Sequence, residues 1–155
     1  MRHTLGSYVT GPYLMLHQRI YQKSGGAVGR HALGRPTLLL HTSGRKTGQP
    51  RCNALVYAKD AGDFVVVASF GGAPQQPAWF LNLQANPDVQ VQIGRGIRPA
   101  WARVAEGDER ERLWTLVNDK NRGLARFFHP GTAGRYDVYQ LHTDRQIPVV
   151  ILTPA

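Results

Sequence analysis

Apolar residues recur along the chain with two spacings, and these spacings predict where its helices and strands lie. Residues 12–24 form an amphipathic pattern, with Tyr13, Leu16 and Ile20 on one face and Ser-Gly-Gly at 24–26 as its end. Short apolar runs and alternations predict strands at 37–43, 51–58, 63–69, 88–93, 98–105 and 147–152. Two apolar stripes bounded by Pro, Asn-Pro or acidic residues predict further helices at 77–85 and 108–121.

The order of these elements predicts an α+β fold built on an antiparallel, barrel-like sheet of about six strands. Successive strands lack crossover helices, and no Gly-x-Gly-x-x-Gly follows a strand, so a parallel nucleotide-binding fold is disfavoured. A chain of 155 residues fits one domain. We expect residues 1–34 to form an N-terminal helix with its lead-in, and residues 35–155 to form the barrel domain.

Charge is distributed unevenly along the chain and indicates an anionic partner. The formal net charge is +9, and residues 1–59 hold nine Lys and Arg but no Asp or Glu. Nucleic acid, anionic lipid and a polyanionic small molecule all fit such a field. Because the aromatic residues lie mostly elsewhere, we expect a compact anion and no nucleic acid. The basic helix at 12–24 leaves peripheral contact with an anionic membrane open.

Cysteine, histidine and hydropathy patterns restrict the remaining classes. Cys52 is the single cysteine, which fits a reducing compartment, and no Cys/His cluster has zinc-ligand spacing. No apolar run reaches about 18 residues, so we expect no membrane span. We therefore expect a cytoplasmic protein without a metal, with peripheral attachment at the inner face of the membrane as an open alternative. The sequence does not specify an oligomeric state.

Two loops combine features that suit a ligand with an anionic end and a flat end. The first is TSGRKTGQPR at 42–51, where Arg45, Lys46 and Arg51 accompany two glycines between predicted strands. The second follows the apolar strand Val65–Val67, where a glycine-rich loop at 71–73 leads into the helix that holds Trp79. A solvated basic turn and a core tryptophan are the simpler alternatives for each loop taken alone.

Four blocks of sequence, taken in order, resemble the deazaflavin (coenzyme F420)-dependent nitroreductase family. They are TSGRKTGQPR at 42–51, VAS at 67–69 with GGA at 71–73, PAWFLNL at 77–83 with ANP at 85–87, and TDRQIPV at 143–149. The resemblance spans about residues 35–154 and implies a split β-barrel of the FMN-binding-like superfamily. It also implies an oxidoreductase in which reduced F420 gives a hydride to a quinone, an enone or a nitroaromatic.

The resemblance also implies roles for individual residues. The cofactor's phosphate and glutamate tail would be held by Arg45, Lys46, Thr47 and Arg51. The ring and its surroundings would contact Asn53, Leu55, Val67, Ala68, Ser69, Phe70, Gly71, Ala78 and Trp79. The acceptor would lie near Tyr57, Tyr136 and Tyr139. Tyr139, Tyr136 and Ser69 are the candidate catalytic proton donors, with bulk water as the alternative.

This chain departs from the family pattern at two places that affect the expected binding. Phe70 stands where many relatives have Lys, and Gln75-Gln76 replaces a more basic pair, so the tail contacts are expected to differ. Residues 121–135 also diverge, which predicts a more open acceptor pocket. Two alternatives stay open: an FMN-dependent enzyme on the same barrel, and a non-catalytic barrel that binds a cofactor or nucleic acid. The FMN alternative is weaker because three clustered cations exceed what one phosphate needs.

Overall fold

The computed structural model describes residues 16–27, 31–32, 35–120 and 136–155, and it confirms the predicted α+β class. The described helices are α1 (16–23), α2 (Ala78–Ala85), α3 (Gly107–Lys120) and α4 (Tyr136–Gln140). The strands are β1 (His31–Ala32), β2 (Arg35–Ser43), β3 (Pro50–Val56), β4 (Ala58–Asp60), β5 (Asp63–Val67), β6 (Asp88–Ile93), β7 (Gly96–Val104) and β8 (Val149–Pro154).

The sheet closes into a barrel because one segment of chain pairs with both of its edges. The central order is β2-β6-β7-β8-β5, and every pairing is antiparallel. Strand β3 pairs with β2, strand β4 pairs with β5, and only Tyr57 separates β3 from β4. The segment from β3 to β4 therefore completes a ring of about six strands, as the sequence predicted. Short strand β1 adds to the start of β2.

Alternation along the strands gives the barrel two apolar faces. The inner cluster joins side chains of β2, β5, β6, β7 and β8 with Trp79, Phe80 and Leu83 of α2. The outer cluster lies on the opposite face of β5 and β8, where α3 and α4 cover Val65, Val149 and neighbouring residues. Adjacent residues of one strand point to opposite faces, so β5 and β8 contribute side chains to both clusters.

Helix α1 buries the side that holds His17 and Tyr21 and exposes the side that holds Leu16 and Ile20. Leu16 and Ile20 are 58% and 43% exposed, whereas Tyr21 is fully buried and His17 is 8% exposed. Tyr13 lies outside the described residues, as do positions 12–15 of the predicted helix. Leu16 and Ile20, which the sequence pattern places on one apolar face, therefore lie at the surface.

Polar contacts with the barrel explain this orientation of α1. The Tyr21 hydroxyl accepts a hydrogen bond from the Gly94 amide at 2.8 Å. The Gln18 side chain donates to the Cys52 carbonyl at 2.8 Å and accepts from the Ala54 amide at 3.1 Å. The two Gln18 bonds satisfy backbone groups of β3, and the Tyr21 bond satisfies the amide of Gly94 in the turn between β6 and β7. A purely apolar helix face would leave these groups without a partner from α1. A hydropathy pattern contains no information about such a need.

Candidate active site

The strand directions bring the two predicted ligand loops to the same end of the barrel. Four antiparallel steps separate β2 from β5, so the two strands run in the same direction. Their last residues, Ser43 and Val67, therefore lie at one end, and the loops that follow both begin there. Strand β8 starts at this end as well, with residues 145–148 just before it.

The first loop is a tight β-hairpin whose backbone is internally bonded. Ser43 pairs with Pro50, the Gly44 amide donates to the Gln49 carbonyl at 2.8 Å, and the Gly48 amide donates to the Gly44 carbonyl at 2.8 Å. Gly48 has φ +69°, which glycine adopts readily. Thr47 is one of the predicted cofactor residues, and its hydroxyl accepts a hydrogen bond from the Gln49 amide at 3.2 Å. The hairpin thus holds its own shape without using its cations.

The three cations of this loop are exposed and lack acidic partners. Arg45, Lys46 and Arg51 are all exposed, and within the described ranges none of them forms a salt bridge. Arg45 is nevertheless oriented, because its amide and its Nη1 donate to Asn82 Oδ1 at 3.1 and 3.3 Å. Asn82 is buried on α2, and the sequence reading assigned it no role although it lies in the block at 77–87.

Strand β3 presents predicted cofactor residues on one face. Arg51, Asn53 and Leu55 alternate along β3, and Leu55 packs against the inner cluster. Arg51 pairs with Thr42, which is buried and whose hydroxyl has no hydrogen-bond partner among the described residues. The inner face of β2 and β3 therefore ends in polar groups directly below the hairpin.

The second loop is a left-handed turn at Phe70–Gly72, and it has three consecutive positive φ angles. These are +46° at Phe70, +63° at Gly71 and +80° at Gly72, whereas Ser69 is in the right-handed helical region. Where a residue in the right-handed helical region is followed by one in the left-handed region, successive amides converge on one side and can bind an anion or a carbonyl. Phe70 is 58% exposed, so no core packing compensates its unfavourable backbone angle.

Arg145 binds the backbone carbonyls of this turn and of the residues next to it. Like Asn82, it was assigned no role by the sequence analysis. Its guanidinium donates to the carbonyls of Ser69 at 2.8 Å, Ala73 at 2.9 Å and Ala68 at 3.2 Å. It also donates to Gln76 Oε1 at 2.9 Å, so Gln76 supports the turn. Burial lowers the pKa of the Arg145 guanidinium below its usual range.

The remaining predicted cofactor residues differ in solvent exposure. Ala78 and Gly71 are exposed, and Ser69 is half-buried. Val67, Ala68 and Trp79 are buried, with 8%, 0% and 6% exposure. The Trp79 ring packs edge-on against Phe80 at 6.2 Å inside the barrel. These three residues therefore shape the loop from beneath, and their side chains contribute to the core.

The three tyrosines predicted near the acceptor are not equally accessible. Tyr139 is half-buried on α4, and its ring centroid is 6.2 Å from that of Tyr136. Tyr136 is 6% exposed and packs between Trp114 and Tyr139. Tyr57 is 8% exposed, and its ring lies edge-on against Phe64 at 5.4 Å within the inner cluster. Tyr139 is the most accessible of the three.

Helix α4 and the turn are packed backbone to backbone. A Cβ added at Gly72 would lie 2.6 Å from the Tyr139 carbonyl oxygen, so only glycine fits there without a shift. The segment at Tyr139 therefore adjoins the turn directly.

The described residues contain neither a candidate metal site nor a candidate membrane-spanning helix. No group of three or more His, Cys, Asp or Glu side chains in this part of the chain is arranged to hold a metal ion. No helix in the same part is long and apolar enough to cross a membrane.

Comparison with known proteins gives one consistent family. The family model described as F420H(2)-dependent quinone reductase matches residues 14–154. The F420H(2)-dependent quinone reductase Rv1261c of Mycobacterium tuberculosis (strain ATCC 25618 / H37Rv) is 42% identical over 143 residues, which cover 90% of this chain and 89% of that protein.

Two solved structures agree with this result. The structure of the F420-H2 dependent reductase FDR-A is 41% identical with a TM-score of 0.59, over 79% of this chain and 97% of that one. A structure described as a domain-swapped dimer is 36% identical with a TM-score of 0.61, over 92% of this chain and 99% of that one. The expected F420-dependent reductase class is confirmed. The chain belongs to the F420H(2)-dependent quinone reductase family.

Proposed function

We propose that the barrel end formed by the hairpin at 44–49 and the turn at 70–72 binds coenzyme F420, and that a quinone is reduced there. The observation that supports this most directly is that a glycine turn lies at the same end of the barrel as three cations that have no acidic partner among the described residues. Family membership supports both the cofactor and the acceptor class.

The donor set fits the anionic half of F420. Arg45, Lys46 and Arg51 supply positive charge without competing carboxylates among the described residues, and Asn82 holds Arg45 in place. Each charge-assisted hydrogen bond to the tail contributes about 1.5–3 kcal/mol where it is shielded from water. The orphaned Thr42 hydroxyl at the base of the hairpin is consistent with a ligand-binding end of the barrel, where unpaired polar groups concentrate.

The turn fits the planar half of the cofactor. Gly71 has open space around its Cβ position, so a flat ring can approach the backbone closely. The converging amides at 69–71 supply donors for ring carbonyls. Val67 and Ala68 set the position of this backbone from the core below, and Ala78 adds a small exposed side chain at the start of α2.

The reaction that follows is a two-electron reduction. When bound, reduced F420 supplies the hydride, and the protein's residues bind, orient and shield the reactants. We assign the acceptor side to α4, where Tyr139 adjoins the turn and is half-buried. A proton completes reduction of a quinone to the hydroquinone, and we propose the Tyr139 hydroxyl as its donor because Tyr139 is the most accessible of the three predicted tyrosines. Tyr136 and Ser69 are the alternatives from the chain.

One experiment tests the cofactor and the acceptor together. The purified protein is titrated with F420 and with FMN, and oxidation of reduced F420 is followed with quinones, enones and nitroarenes. We expect saturable F420 binding, no comparable FMN binding, and turnover that is fastest with quinones. Tight FMN binding without F420 binding would instead support the flavin alternative. Salt-sensitive DNA binding with neither cofactor bound would support a non-catalytic barrel.

The outward face of α1 supports a finer proposal about location. Leu16, Arg19, Ile20 and Lys23 form one exposed stripe with two apolar and two cationic side chains. We propose that this stripe contacts the anionic inner face of the membrane peripherally. Cosedimentation with anionic vesicles, lost in zwitterionic vesicles and in a Leu16→Ser/Ile20→Ser variant, is the expected result. Equal recovery in the supernatant with both lipids would contradict it.

A further inference from the structure

Arg145 lies just before β8 and places one guanidinium among four oxygen acceptors. Nη2 donates to the Ser69 carbonyl at 2.8 Å, Nε to the Ala73 carbonyl at 2.9 Å, and Nη1 to the Ala68 carbonyl at 3.2 Å and to Gln76 Oε1 at 2.9 Å. Within the described residues it makes no ion pair with a carboxylate. A planar fork of five N–H groups can bind several carbonyls in one fixed arrangement, which a lysine ammonium cannot reproduce.

This arrangement fixes the direction in which the turn's amides point. In a trans peptide the C=O and the following N–H point in opposite directions, and all the described peptide bonds are trans. Because Arg145 draws the carbonyls of Ala68 and Ser69 toward itself, the amides of Ser69 and Phe70 point away from it. These amides belong to the left-handed turn whose open side was assigned to the cofactor ring.

Arg145 is itself held by the helix on the acceptor side. Gln140, the last residue of α4, donates through Nε2 to the Arg145 carbonyl at 2.7 Å and accepts through Oε1 from the Ile147 amide at 2.9 Å. Gly72 packs against the Tyr139 carbonyl one residue earlier. The turn, Arg145 and α4 are thereby joined into one polar unit that spans the cofactor side and the acceptor side.

We propose that Arg145 is a positioning residue: its guanidinium holds residues 68–76 in the conformation that binds the ring of F420. This inference rests on the proposed function for its ligand. Its structural part, which is the hold on the turn, is independent of the ligand. Arg145 acts through the backbone of the turn and does not itself contact the reactants.

The test compares Arg145→Ala and Arg145→Lys with Arg112→Ala. Arg112 forms a two-bond pair with Asp60 at 2.8 Å, at the opposite end of β5, so its truncation removes equivalent bonds away from the site. F420 affinity is measured by fluorescence titration, and amide hydrogen exchange of residues 68–76 is measured in the protein without cofactor. Guanidinium chloride at millimolar concentration is then added to each variant.

We expect Arg145→Ala to weaken F420 binding by about 10- to 100-fold and to speed exchange at 68–76, with both effects partly reversed by guanidinium. Arg145→Lys is expected to fold and to show smaller losses of the same kind. If the alanine variant does not fold, the lysine variant alone decides the test. Arg112→Ala is expected to match the wild type. Wild-type affinity and exchange in folded Arg145→Lys or Arg145→Ala would overturn the proposal.

The failure of the proposed function has a different signature. If the wild-type protein does not bind F420 at all, the cofactor assignment fails, while the exchange data still decide whether Arg145 holds the turn. Lost affinity with unchanged exchange at 68–76 and no guanidinium rescue would overturn the positioning role alone.

Discussion

The hairpin at 44–49 and the turn at 70–72 lie at one end of the barrel but are built in contrasting ways. The hairpin holds itself through local backbone bonds and exposes its cations. The turn has two local bonds of its own, from the Gly72 and Ala73 amides to the Ser69 and Phe70 carbonyls. It is held in addition by residues distant in sequence, through the guanidinium of Arg145 and close packing against the backbone of Tyr139. The hairpin therefore acts as a charged surface that can be changed without unfolding, whereas the turn is tied to the stability of the barrel.

The same contrast predicts how the two loops divide the work of binding. Exposed cations attract an anion over a distance set by ionic strength and add affinity through direct hydrogen bonds. A preorganised backbone adds orientation, because its amides need not rearrange when the ligand binds. We expect variants of the hairpin to change mainly affinity, and variants of the turn to change stability and affinity together.

Two Gly→Ala substitutions, one in each loop, are expected to differ most in their effect on stability. Gly72→Ala places a Cβ 2.6 Å from the Tyr139 carbonyl oxygen at φ +80°, whereas Gly48→Ala at φ +69° meets nothing within 4 Å. Left-handed strain together with overpacking is expected to cost Gly72→Ala about 2–5 kcal/mol of unfolding free energy. Gly48→Ala is expected to lose about 1 kcal/mol.

Urea unfolding followed by circular dichroism measures both values. Gly71→Ala is the control within the turn, since it has φ +63° and open space. Equal losses for Gly72→Ala and Gly71→Ala would show that contact with α4 contributes nothing to the stability of the turn.

Removing charge from the hairpin tests its half of the comparison. Lys46→Ala combined with Arg51→Ala is expected to weaken F420 binding by about 2–5 kcal/mol and to reduce its salt dependence, with little change in unfolding. The matched control is Lys59→Ala with Arg112→Ala, which removes the same residue types from the far end of the barrel. Fluorescence titration at several salt concentrations would contradict the assignment if both double variants bound alike.

Phe70→Gly tests the strain in the turn and is expected to have the smallest effect. Glycine removes the strain of φ +46° from the folded state, but its greater entropy in the unfolded chain offsets part of this gain. We therefore expect a net stabilisation of up to about 1 kcal/mol. Ala61→Gly is the control, because Ala61 has φ +53° in the turn at the opposite end of the barrel. Both should stabilise in urea, and only Phe70→Gly should alter F420 affinity. Equal affinity in both variants would leave Phe70 without a role in binding.

Much of the fold was predictable because its signals are local. Alternation marked the strands at 88–93 and 98–105 to within a few residues, and the apolar stripe with its acidic first turn marked α3. The side that α1 buries was not predictable from its own pattern, because Gln18 bonds to backbone groups of β3 and Tyr21 bonds to the Gly94 amide. Hydropathy alone favours burial of Leu16 over burial of Tyr21. Tyr21 is the buried residue, and its hydroxyl accepts a hydrogen bond from the distant Gly94 amide.

By itself, the sequence determined the charged hairpin, the glycine-rich turn and the antiparallel character of the sheet, since each depends on residue type and near-neighbour spacing. Tertiary structure alone decided that β2 and β5 end together, that Asn82 orients Arg45, and that Arg145 holds the turn. Those contacts join residues 37 and more than 70 positions apart, and their acceptors are backbone carbonyls or one buried amide. Every residue has a backbone carbonyl, so no pattern of side chains could indicate which ones a guanidinium would bind.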